Sequence, residues 1–254
     1  MNIISDIEFS SAVAGDLYLP DGKAPEQGFP AAVLIHGGGW TSMDRSRFNG
    51  IAQMLAGYGF AVFNIDYRLA PEHPWPAGVN DCKAAINFLL NSDHPVNKKK
   101  IFVIGGSAGG HYALIAGLSL PPGTVCGIIS ISGIDDVFVD SKSSPGRYTQ
   151  LLGRVPEDDD LRLLNPAEYY SPDSPPVLCT HCRHDTVVPF AACTAFEKAV
   201  LKKSGSIRVY SYDSDRRNEG HAIWIPETLP PRLYGDIEAV ITGFMQEIVN
   251  KSEI

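Results

Sequence analysis

Short, continuously apolar runs alternate with helix-patterned stretches along nearly the whole chain, and this alternation constrains the fold more than any other feature. AAVLI (31–35), FAVFNI (60–65), IFVI (101–104), IISI (128–131), VLCT (177–180) and IRVYSY (207–212) read as strands. Most lack the polar–apolar alternation of a half-exposed sheet, which is how strands covered on both faces of a parallel sheet read. Helix candidates lie between them at 48–57, 79–90, 108–118 and 190–203. The last candidate, 232–250, places Leu233, Ile237, Val240, Ile241, Phe244 and Ile248 at helical spacing, one stripe fit to dock on a sheet. Strand–helix alternation predicts an α/β fold: a doubly wound, mostly parallel sheet flanked by helices, with right-handed crossovers. At 254 residues without repeats or low-complexity linkers, a single domain over 1–254 is expected.

Two segments break the pattern. RLAPEHPWPAG (68–78) carries three prolines, which exclude a helix or a central strand and predict a loop of fixed shape. The stretch 134–176 is a polar, proline-bearing insertion with one short helix expected at 148–152, and long loops beyond strand ends often shape binding sites. The basic run Lys98–Lys99–Lys100 reads as a solvated turn.

Charge excludes some partners. A net charge of −8 argues against nucleic acid or an anionic membrane surface. No apolar run reaches the roughly 20 residues that span a bilayer. MNIISDIEFSSAVAG lacks the basic and apolar regions of a signal peptide, so a cytoplasmic location is the expectation, with a trimmed secreted form as the alternative. The five cysteines are odd in number and widely spaced, which suits thiols better than a disulfide framework. In CTHC, Cys179 and Cys182 would face opposite sides of a strand, and no second pair completes a zinc set, so no metal or other cofactor is expected.

The glycine-rich turn GGSAGGH, 105–111, follows one of the apolar runs. A dinucleotide fingerprint needs a third glycine where Ser107 stands, and a Walker loop needs a lysine where His111 stands. The turn does satisfy G-x-S-x-G, in which small flanking residues let a strained serine project from a strand-to-helix corner. Upstream, AAVLI runs into HGGGW (36–40), where Gly38 and Gly39 could turn amides toward an oxyanion together with the amide of Ala108.

A base and an acid should follow such a serine in chain order. Of seven histidines, His36, His73 and His94 precede Ser107, His111 lies along the same helix, and His181 and His184 adjoin a strand end and read as structural. His221 alone falls in a loop between the last strand and the C-terminal helix. Asp185, just past VLCT, suits the acid; Asp213 and Asp215 are the next candidates, followed by Asp135 and Asp136. Asp66 reads as a turn-holding residue. Trp40 and Trp75 are candidates to line the mouth of the site or to pack in the core.

HGGGW, DYRLAPEHPWPA, GGSAGG, RHDTVVP and EGHAIW, in this order over about 33–224, resemble the α/β-hydrolases of the branch related to hormone-sensitive lipase. The resemblance implies an α/β-hydrolase fold, Ser107 as nucleophile, His221 as base, Asp185 as acid, and an oxyanion hole at Gly38, Gly39 and Ala108. Larger members carry a helical cap ahead of HGGG; only 35 residues precede His36 here, so no large cap domain is expected. Cys182 also stands where the acid motif often has glycine. The chain is similar to compact acetylxylan and feruloyl esterases, which implies short-chain acyl esters, among them acetyl or feruloyl groups on plant polysaccharides. Compact relatives also include amide hydrolases of the kynurenine formamidase type, and a silent ligand-binding protein on the same fold is a third reading.

Overall fold

The computed structural model describes residues 1–213, 220, 221, 224, 225 and 228–251. Among these, the apolar runs become β3 (Phe29–Ile35), β4 (Ala61–Ile65), β5 (Val96–Gly106), β6 (Gly127–Ile131), β7 (Val177–Cys182) and β8 (Ile207–Tyr212). They pair in parallel, and β1 (Asn2–Ser10) and β2 (Val13–Leu19) extend the sheet as an antiparallel hairpin, in the order β1-β2-β4-β3-β5-β6-β7-β8. Neither hairpin strand is predicted above. β1 is a half-exposed edge with polar residues in it, so it lacks the continuous apolar signature.

The helices divide between the two faces, as a doubly wound sheet requires. On one face α2 (Ala77–Asn91), α3 (Ala108–Ser119) and α8 (Phe190–Lys202) bury Ile86, Tyr112, Leu114 and Phe196 against Val33, Val103 and Ile128. On the other, α1 (Asn49–Gly57) and α9 (Gly235–Lys251) bury Ile51, Leu55, Ile237 and Phe244 against Leu34, Phe102 and Ile129. Every residue of α3 from Ala108 to Leu118 is buried, so the glycine-rich turn opens onto a helix enclosed all round. Cys179 joins the first cluster and Cys182 the second, as residues three apart on a strand must.

Two expectations need correction. Lys98, Lys99 and Lys100 lie inside β5 rather than in a turn. Lys98 and Lys99 are exposed, but Lys100 is buried and its Nζ donates to the carbonyls of Ile248 and Val249, both at 3.1 Å, in the last turn of α9. A cation there is favoured by the helix dipole. The insertion 134–176 holds more than one short helix: α4 (Val137–Ser143), α5 (Pro145–Leu152), α6 (Asp158–Leu164) and α7 (Pro166–Tyr169). Side-chain bonds start α4 and α6, with Asp136 Oδ1 accepting from Val139 N at 2.9 Å and Asp160 Oδ2 from Glu157 N at 2.8 Å, while prolines start α5 and α7.

Candidate active site

β5 ends at Gly106 and α3 begins at Ala108, leaving Ser107 alone at the corner with φ 54° and ψ −122°. Such backbone costs a non-glycine residue on the order of 1–3 kcal/mol and persists only where the surroundings impose it. Here they do so by contact. A Cβ on Gly105 would lie 2.0 Å from Gly109 O, and one on Gly109 would lie 2.3 Å from His36 O. Strand, helix and the loop after β3 therefore meet backbone to backbone. Ser107 N donates to Ile131 O at 2.9 Å, and Ser107 O accepts the first bond of α3 from His111 N at 3.2 Å.

The HGGGW loop is carried to this corner by β3, whose Ile35 pairs with Gly105. Gly37 packs so closely that a Cβ would sit 3.3 Å from Ser107 Cβ. Gly38 has φ 110° and its carbonyl accepts from the amides of Thr41 and Ser42, both at 3.1 Å. A side chain at Gly38 would meet Ser42 O at 2.0 Å, so only glycine fits this turn. Arg45, just beyond it, ties the loop to its surroundings: its Nε donates to Asp16 Oδ2 at 3.0 Å, its amide to Asp66 Oδ1 at 2.8 Å, and its guanidinium also pairs with Asp6 and Asp66. Asp66 thus holds a turn, as read from the sequence. The proline-rich loop closes over the same region, with Ala70 N donating to Trp40 O and Trp75 N to Leu151 O, each at 2.9 Å.

Asp185 and His221 meet although they are 36 residues apart: Asp185 Oδ2 lies 2.8 Å from His221 Nδ1. Asp185 Oδ1 accepts from the amides of Val187 and Val188 at 2.8 and 2.9 Å. Burial pushes the Asp185 carboxyl up, but hydrogen bonds from His181 and His221, the His221 charge and the Val188 amide outweigh it and hold the group well below the usual carboxylate range. Ser107, Asp185 and His221 follow β5, β7 and β8, so all three lie at the carboxyl edge of the parallel strands, where open α/β sheets bind ligands. Each is largely buried, at 8–9% exposure.

The other candidates fall elsewhere. Asp213 is exposed and pairs with Arg183 at 2.7 Å. Asp215 lies outside the described residues. Asp136 caps α4, and Asp135 is fully buried behind the site. His111 Nε2 lies 2.7 Å from Leu164 O, pointing away along the helix; burial, only partly offset by that bond, pushes its imidazole down to about 4. Trp40 does not line a mouth. It is fully buried, with its ring 5.2 Å from that of His111 and 5.7 Å from that of Tyr148, so it anchors the glycine loop from below. Trp75 is half-buried, 6.2 Å from the rings of His111 and Tyr112.

Two sets of neighbours are not legible in the motifs. Arg147 Nη2, on α5, donates to Val187 O at 3.1 Å, joining the insertion to the Asp185 loop. Asp140, on α4, accepts from Tyr148 Oη at 2.7 Å and feels the charges of Asp185 and His221. His181 also touches Asp185, its Nε2 3.4 Å from Oδ2.

This architecture is shared with known proteins. Esterase LipC of Mycobacterium tuberculosis is 28% identical over 204 residues, which are 72% of this chain but 51% of LipC, so the chain spans about half the length of that relative. The acetyl ester-xyloside bifunctional hydrolase of Caldicellulosiruptor lactoaceticus superposes with a TM-score of 0.78 at 21% identity, covering 94% of this chain and 89% of that one. The propionate-bound esterase Est2 of Thermogutta terrifontis gives 0.75 at 22% identity, covering 97% and 94%. Those structural likenesses establish the α/β-hydrolase fold. The BD-FAE family model matches residues 15–200, from the second strand of the hairpin through the serine corner and the Asp185 loop into α8, and the chain belongs to the BD-FAE family.

Proposed function

We propose that the chain is a serine carboxylic-ester hydrolase acting through Ser107, His221 and Asp185. The observation that carries this reading is the 2.8 Å bond between Asp185 Oδ2 and His221 Nδ1, at the same sheet edge as a serine held at φ 54°. With Nδ1–H donating to the carboxylate, His221 presents Nε2 as the base. His221 takes the Ser107 proton as Oγ attacks the ester carbonyl, and the amides of Gly38, Gly39 and Ala108 receive the oxyanion. The tetrahedral adduct collapses to an acyl-serine as His221 returns the proton to the departing alcohol. Water, deprotonated by the same nitrogen, then releases the acid and restores Ser107.

The substrate class is a short-chain acyl ester, with acetyl or feruloyl groups on plant polysaccharides as the leading candidates. Membership in the BD-FAE family supports this, as does the likeness to a hydrolase named for an acetyl ester and a xyloside. The test is the hydrolysis of p-nitrophenyl acetate by wild type and by Ser107→Ala, followed by acetylated xylan and a feruloyl ester. We expect wild-type turnover and only trace activity in the variant. Near-wild-type turnover in Ser107→Ala would overturn the assignment.

A further inference from the structure

Asp185 has a second histidine behind it. His181, on β7, is fully buried; its Nε2 lies 3.1 Å from Val188 O and 3.4 Å from Asp185 Oδ2. A carbonyl can only accept, so Nε2 carries a hydrogen that serves both oxygens. The opposite nitrogen, Nδ1, is buried without a hydrogen-bond partner. A second buried acid lies close to this ring. Asp135, from the loop after β6, has Oδ1 occupied by Ser130 Oγ at 2.6 Å, while Oδ2 is buried and likewise without a partner. One polar side-chain atom from each of Asp135, His181 and Cys193, the last from α8, lies within 4.8 Å of the other two. Cys179, on β7, adjoins Cys193 and Asp135.

A proton on Nδ1 places a cation beside two enclosed carboxyl groups, Asp185 on one side and Asp135 close by on the other, an arrangement that a low dielectric strengthens. Burial alone would push the His181 imidazole down, but the adjoining Asp185 carboxylate, the neighbouring Cys193 and the charge of Asp135 overcome it and raise the group to about 10. Asp135, His181, Asp185 and His221 then form a line in which acid and base alternate.

We propose that His181 is a positioning residue for ester hydrolysis: a cationic imidazole wedged between Asp135 and Asp185, which fixes the acid from behind and tempers its attraction for a proton on His221. This rests on the reaction assigned above. A positive charge behind Asp185 opposes protonation of His221, so the base stays free to lower pH than Asp185 alone would allow. The charged and titratable groups around this line are Asp135 after β6, Cys179 on β7, Cys193 on α8, and Asp140 on α4 with its partner Arg147 on α5. His181 lies against both Asp185 and Asp135.

The experiment has two arms. Histidine-selective ¹⁵N spectra of the wild-type protein between pH 6 and 8 should find both ring nitrogens of His181 protonated, with Asp135→Asn bringing loss of one proton to lower pH. An unprotonated Nδ1 at pH 7 would overturn the proposal whether or not the protein hydrolyses esters, so its failure is distinguishable from failure of the assigned reaction. In the second arm His181→Gln retains an amide N–H for Val188 O and Asp185 but removes the charge. The acid limb of kcat/KM should move upward by about one pH unit with KM nearly constant. A merely structural role would lower the amount of active protein and leave the limb in place, which would overturn the proposal. So would a stoichiometric transition metal in the purified protein, because the donors of Asp135, His181 and Cys193 would then be ligands rather than a proton site.

Discussion

The corner at Ser107 is held by backbone packed on backbone, whereas the pair Asp185 and His221 is held by side-chain hydrogen bonds. At the corner, Gly105, Gly109 and Gly37 let three chain segments approach until no Cβ fits, and the serine is left in the one conformation that remains. On the opposite side, Asp185 spends both oxygens on four donors, two amides and two imidazoles. The first arrangement cannot relax without moving whole elements. The second depends on charge and therefore on pH. The proposed nucleophile and base thus have different vulnerabilities, the one to volume and the other to protonation.

The comparison is broken most severely at the acid. Asp185→Asn leaves the volume unchanged but removes the charge and permits the wrong His221 tautomer; kcat for p-nitrophenyl acetate should fall by about 10⁴, with the folded state preserved by circular dichroism. On the nucleophile side, Gly38→Ala puts a methyl 2.0 Å from Ser42 O at φ 110°, displacing an assigned oxyanion donor. A loss of about 10²–10³ in kcat is expected in steady-state assays, with no displacement of the pH profile.

A smaller effect sharpens the difference in pH sensitivity. The His181 imidazole is raised to about 10 in the folded protein from an ordinary value near 6.5. Its contribution to stability is fully present below about pH 6.5 and is lost as pH rises through about 10. Denaturant midpoints of wild type should therefore decline across that window more steeply than those of His181→Gln, by at most about 1.4 kcal/mol per pH unit. The smallest effect lies far from both regions. Lys100→Met should cost about 2 kcal/mol in urea unfolding and lower kcat only slightly, because it removes a charged donor from two α9 carbonyls and reaches the site only through the seating of that helix.

The same contrast explains what could be read in the amino-acid sequence. The serine corner is written contiguously, since the glycines that make room for Ser107 are its chain neighbours. The parallel strands β3 to β8 were equally plain, because burial on both faces demands unbroken apolar runs. The hairpin of β1 and β2 escaped because an edge strand with exposed polar residues carries no such run. Within the insertion the helix expected at 148–152 is part of α5, whereas α4 escaped because Asp136 caps it and Asp140 ties it to Tyr148, one bond at a time, with no apolar stripe to announce it. His181 was read as structural since its neighbours Asp135 and Cys193 reach it only through strand pairing and helix packing, 46 and 12 residues away in the chain. For Trp40 the sequence leaves mouth and core equally open, and left-handed backbone at φ 65° turns it into the core.

The clasp between Lys100 and the end of α9 reaches further than the local carbonyls. His221 lies in the connection between β8 and α9, so the helix is the downstream post from which that connection is strung. By fastening the helix to the start of the central strand, Lys100 joins the anchorage of the proposed base to the strand that leads into Ser107. Turnover is then a gauge of how well the last helix is seated, and loosening it should dull catalysis before any catalytic side chain is touched.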